Sequence, residues 1–190
     1  MKHVYIVLSR SKTLVARMVQ IATREKYSHS SLSLSMDCST FYSFGRRDPR
    51  HMFPAGFITE GVEKGFFAVH PEIPIAVYEL PVSDEDYQLI QERLTPFLKD
   101  PWHYKYAVKN LLYQYMGIAH WQEDQYVCSA FVAYILRGML DFGKDPSLVF
   151  PHDFQHYGLR LVFEGRTCDY PAYYQTHLAQ GADAVKEAAL

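Results

Sequence analysis

The sequence predicts an α+β fold in one domain, on three observations. Apolar or alternating runs of strand length recur from His3 to Leu80, interrupted by one early helical pattern. Apolar residues at helical spacing then dominate from Tyr87 to Leu140. The chain has 190 residues, 48% hydrophobic and 21% charged, enough to bury one substantial core.

His3–Ser9 is a compact apolar run and reads as a strand. Thr13–Thr23 places Leu14, Met18 and Ile21 on one helical face. From His29 to Ser35 the chain alternates, with Leu32 and Leu34 on one side and His29, Ser31, Ser33 and Ser35 on the other. Met36–Ser39 reads as a hairpin turn, and Thr40–Phe44 as the returning strand. Gly45–Gly65, rich in Gly, Pro and Arg, reads as a long loop, either a lid or a segment facing substrate. Ile75–Leu80 is a further strand.

Ser83 is a helix cap, followed by Asp84, Glu85 and Asp86 in the first turn, where negative charge suits the dipole. That helix turns Tyr87, Ile90, Leu94 and Phe97 inward, and Pro101 closes the region. Tyr106–Met116 and Cys128–Leu140 are the next two helices, and Leu159–Phe163 is a last strand. Residues 1–178 read as the single domain, with 179–190 a loosely structured Ala-rich tail.

A formal net charge of -2 and the lack of a polybasic run argue against a nucleic-acid partner. No run of about 18 apolar residues is present, so no transmembrane segment is expected. Three cysteines without CxxC spacing fit a reducing compartment, and the N-terminus reads as a strand rather than a secretory signal. The expected location is therefore cytoplasmic.

The chemistry is carried by Gln125-Tyr-Val-Cys-Ser-Ala-Phe-Val, where a polar stretch becomes an apolar helix at Cys128. A thiol at a helix start lies near the positive end of the dipole, which favours the thiolate. His29, opening the alternating strand, is the matching base. The expected pair is an imidazolium–thiolate with the cysteine pKa lowered. His152 and His156 stand four apart without a third ligand, so no metal is expected there, and no cofactor elsewhere. Cys38 and Cys168 read as incidental thiols.

At Tyr27-Ser-His-Ser-Ser-Leu-Ser-Leu and Tyr126-Val-Cys-Ser-Ala-Phe-Val, the chain resembles the circularly permuted branch of the NlpC-type papain-like superfamily. In that branch the histidine strand precedes the cysteine helix. Pro151-His-Asp-Phe154 matches a proline-containing turn downstream of the helix. Tyr42-Ser-Phe-Gly-Arg46 with Gly56-Phe and Glu60 resembles a subgroup of small uncharacterised bacterial proteins in it. The resemblance spans roughly residues 1–160. It implies a small antiparallel sheet packed on helices, a cysteine nucleophile at Cys128, a base at His29, and a third polar group that orients the imidazole. The position matching that third group is Ser43, a weaker orienter than the usual Glu, His, Asn or Gln, with Asp37, Tyr42 and Glu60 as nearby substitutes.

The resulting expectation is a thiol hydrolase cleaving an amide bond in a small peptide or cell-wall-derived fragment through a Cys128 acyl-enzyme. Tyr42, Arg46 and Tyr126 are expected to bind substrate, and Arg46, Arg47 and Arg50 suit a substrate carboxylate. The alternatives are a lipid acyltransferase or thioesterase of the same fold, acting on an acyl substrate, and a non-catalytic binding module. The sequence sets no oligomeric state.

Overall fold

A computed structural model describes residues 1–10, 25–48, 51 and 53–187. The expected helix at Thr13–Thr23, and Arg50, lie outside the described residues. The described chain is α+β: one open, eight-stranded sheet in the order β7-β6-β4-β3-β2-β1-β5-β8, antiparallel except between β6 and β7.

The sheet centres on β1 (Lys2–Ser9), which pairs with both β2 (His29–Ser33) and β5 (Pro74–Val82). Its apolar run is continuous because both faces are covered. Val4, Ile6 and Leu8 point into one core; Tyr5 and Val7 point into the other. β3 (Phe41–Arg46) and β4 (Ala55–Glu60) extend the sheet on one side, and β8 (Arg160–Arg166) closes the other. The segment Gly45–Gly65, expected to be one long loop, therefore contains the end of β3 and all of β4. Its Gly56 and Phe57 pattern is a strand because Gly56 lets Tyr104 and Arg47 approach; a Cβ there would sit 2.2 Å from the Tyr104 carbonyl oxygen.

The larger core joins the sheet to α2 (Asp84–Lys99) and α4 (Cys128–Leu136), around Ile90, Leu94, Phe97, Phe131, Ile135 and Leu136. Between them lie β6 (Lys105–Tyr106), α3 (Val108–Tyr115) and β7 (Gln125–Tyr126). The second core lies on the opposite face, where α1 (Gly65–Val69) contributes Phe67 and the start of α5 (Tyr170–Glu187) contributes Tyr170. α5 runs past residue 178 to Glu187. Pro151–His156 forms a 3-10 turn. No described helix is long and apolar enough to cross a membrane.

Candidate active site

Cys128 is the first residue of α4, a helix almost entirely buried against β2 and β3. Four serines of β2 and its approach (Ser28, Ser30, Ser31 and Ser33) are buried. Ser30 lies under Cys128: its backbone N–H is directed at the sulfur, together with the N–H groups of Cys128 and Ser129, while its buried hydroxyl has no hydrogen-bond partner among the described residues. These donors favour thiolate, but burial outweighs them and pushes the thiol above its ordinary pKa. The expected lowering is absent, because a helix N-terminus sealed in a core offers its dipole without solvent.

The imidazole belongs to the neighbouring residue. His29 shares a sheet face with Ser31, whose hydroxyl lies 3.4 Å from Nε2, and with Ser43, whose Oγ lies 3.2 Å from Nε2. Ser43 also donates its one hydroxyl proton to the Ser30 carbonyl at 2.7 Å. Its Oγ can therefore only accept from His29, which assigns the hydrogen to Nε2 and leaves Nδ1 with the lone pair. Among the described residues nothing hydrogen-bonds Nδ1, and no hydrogen bond joins the ring to the Cys128 thiol. Burial, then the Arg46 charge, lower the His29 pKa to about 4. At neutral pH the site holds a neutral thiol on α4 and a neutral imidazole on β2. Ser30, under the thiol, pairs with Leu8 on the α2–α4 face of the sheet, whereas His29 pairs with Ser9 and shares the other face with Ser43.

Of the four groups considered as orienters, Ser43 alone reaches the ring. Asp37 accepts from Ser35 and Ser39 in the hairpin turn; Glu60 accepts from the Phe66 N–H at 3.1 Å. Tyr42 packs on the larger core.

Tyr106 has no forewarning in the sequence. The parallel pairing of β6 with β7 sets Tyr106 beside Tyr126, two residues before Cys128, and its hydroxyl lies against the thiol. Burial raises its pKa well above the ordinary phenol value, so it stays a donor. A two-residue parallel bridge has no periodicity to detect.

Beside this strand end opens a cleft of about 420 Å³, lined by Arg46, Arg47, Glu60, Gly65, Leu98 and Trp102 among others. The Arg46 guanidinium sits over the Phe66 ring at 4.9 Å. Arg47 stacks over Trp102 at 4.3 Å and donates to the Tyr104 carbonyl at 2.8 Å. Burial pushes the Glu60 carboxyl up to about 7, against the Phe66 N–H and Arg46. Arg46, expected at the substrate, lines this cleft. Tyr42 and Tyr126, expected there too, do not line it; Tyr126 is enclosed by Phe44, Phe97, Trp121 and Tyr134. Their aromatic bulk is used in packing, which composition alone does not distinguish from a binding wall.

Comparison with protein-family models, curated proteins and solved structures finds no match to the chain. Among the described residues no group of three or more His, Cys, Asp or Glu is placed to hold a metal ion. His152 instead approaches Asp153 at 3.7 Å. Cys38 is buried, with its pKa pushed up to about 12, and Cys168 is exposed.

Proposed function

We propose that the chain is a thiol hydrolase of the permuted NlpC-type papain-like kind, cleaving an amide in a small peptide, with Cys128 as nucleophile, His29 as base and Ser43 as orienter. The observation that carries this reading is the Ser30–Ser43–His29 hydrogen-bond chain. It reserves Nδ1 as the proton acceptor, while Cys128 opens the helix packed on the same strand.

Because both groups rest neutral, the base acts during attack rather than before it. As Sγ bonds to the carbonyl carbon, the thiol proton is taken up at Nδ1, which requires the His29 ring to turn around the strand end toward the Cys128 side. The developing oxyanion meets the Cys128 N–H and the Tyr106 hydroxyl, which stand at the sulfur. The imidazolium returns the proton to the leaving amine as the C–N bond breaks. Water then adds to the thioester, giving its proton to Nδ1, and the acid departs as Sγ is reprotonated. Ser43 serves throughout, since Nε2–H is present in both the neutral and the charged ring. Arg46 in the cleft suits a substrate carboxylate.

Turnover of a panel of peptide amides and activated esters tests this. Cys128→Ala is expected to abolish turnover, and His29→Ala to reduce kcat by about 10²–10⁴-fold. Ser43→Ala removes the hydrogen bonds to the Ser30 carbonyl and to the His29 ring; loss of the one to the ring, about 1 kcal/mol, is expected to lower kcat roughly fivefold. The raised thiol pKa favours a second reading, a ligand-binding module in which Cys128 only packs. Turnover unchanged in Cys128→Ala, or absent from the wild type across the panel, assigns the protein to that class.

A further inference from the structure

The outer edge of β4 is only partly covered. β6 pairs with it at one position, Gly56 opposite Lys105, and the Phe57 N–H donates outward to the Tyr104 carbonyl at 3.3 Å. Residues two apart on a strand aim their backbone groups to the same side, so the N–H and C=O of Thr59 point outward as well. Thr59 is exposed, and among the described residues no strand pairs with it except β3, on the other side. No backbone hydrogen bond from beyond that ladder reaches it. The edge ends open.

The cleft of about 420 Å³ follows this edge, and residues 57–60 of β4 all line it. Successive strand residues face opposite sides of a sheet, so a cleft that touches all of them runs along the edge itself. Its volume is in the range of small-ligand sites. β6, whose Tyr106 lies against the Cys128 thiol, covers the other end of the same edge.

Two arginines line the cleft, and they differ in what they hold. Arg47 donates to the carbonyls of Pro101 and Tyr104 and stacks over Trp102. Arg46 lies over the Phe66 ring, and among the described residues no carboxylate is placed to pair with its guanidinium. Glu60 instead spends Oε1 on the Phe66 N–H. A guanidinium without an acceptor suits a carboxylate, which it can hold through two parallel hydrogen bonds. Leu98, Pro101 and Trp102 add an apolar wall, with Leu98 and Trp102 exposed. An outward N–H and C=O on one residue are matched by another extended backbone. A short peptide with a free C-terminal carboxylate offers both partners and a side chain for the wall.

We propose that the open edge of β4 is a docking site for short extended peptides, which pair with Thr59 and set their C-terminal carboxylate on Arg46. This names how a peptide is held, and as a substrate site it rests on the function proposed above. Binding itself needs no turnover.

The test is calorimetric titration of full-chain Cys128→Ala with acetylated tripeptides, each carrying one aliphatic or aromatic side chain. Every peptide is supplied as the free acid, as the C-terminal amide and as the fully N-methylated acid. The acid is expected to bind, and the amide to bind about 10-fold more weakly or worse. The N-methylated acid, which cannot donate to the Thr59 carbonyl, is expected to lose at least about fivefold. Adding Arg46→Met, with folding checked by circular dichroism, is expected to make acid and amide bind alike. The changes to the peptide leave the protein untouched, so they decide the matter if that variant misfolds. Acid binding by a wild type that turns over none of the panel upholds the site and removes the hydrolase reading. Absence of binding across the panel overturns the proposal, as does equal affinity for acid and amide or for the N-methylated form. Turnover by the wild type would then leave the hydrolase reading standing alone. A wild-type dimer closed to every peptide also overturns it and assigns the edge to self-association.

Discussion

At the scale of single residues, burial decides the state of the ionisable groups around the candidate site. His29 is lowered and Cys128 raised, so each rests neutral. Glu60 shows the same physics with a consequence for stability. The residue is 8% exposed, and its carboxyl pKa is raised from 4.5 to about 7. The folded state thus binds a proton more tightly than the unfolded chain. Glu60 costs the fold nothing below about pH 4.5; its penalty grows between 4.5 and 7 and is complete above that. Glu60→Gln keeps an oxygen for the Phe66 N–H and removes the titration. In urea unfolding, the variant is expected to match wild type within about 1 kcal/mol at pH 4.5. At pH 8 it is expected to exceed it by about 3 kcal/mol. A difference that does not change with pH would place Glu60 in an environment open to water.

Among the elements, the legible ones follow strong local signals. α2 is the plainest: Ser83 accepts from the Asp86 N–H at 3.0 Å, and Ile90, Leu94 and Phe97 are buried at the spacing read from sequence. Ser83→Ala should cost about 1 kcal/mol of unfolding free energy, a loss visible as a lower denaturant midpoint with an unchanged slope. β1, β2 and β5 were legible from apolar runs and alternation. Ser43 was legible as a neighbour of His29 only through the resemblance, since nothing in Tyr42-Ser-Phe states which face of β3 meets β2. The misses are short or pairing-dependent. α1 has five residues, and β6 and β7 have two each, below the length at which a period exists. β4 was obscured because its Gly56 reads as loop, and its reason is a close approach by Tyr104 from a distant segment. Tyr106 was missed with β6. The neutral state of the Cys128 thiol was beyond local reading too, because burial of the α4 N-terminus is a tertiary property.

For the whole molecule, the sheet is the shared wall of two cores, and this makes a prediction about cooperativity. β1 sends Val4, Ile6 and Leu8 into the α2–α4 side and Tyr5 and Val7 into the α1–α5 side. That strand contributes side chains to both cores. Phe131 on the first side and Phe67 on the second are both fully buried, and Tyr170 ties the second side down by donating to the Met36 carbonyl at 2.6 Å. Phe131→Ala and Phe67→Ala are each expected to cost about 3–5 kcal/mol. Both should shift one common transition, seen alike by far-ultraviolet circular dichroism and by tryptophan emission. Phe67→Ala acts on the face away from α4, yet it should expose Cys128 to alkylation at the same denaturant concentration at which the sheet signal falls. If Phe67→Ala splits the transition and leaves Cys128 protected through the first step, the two faces unfold separately. β1 would then not couple the site to the far side of the sheet.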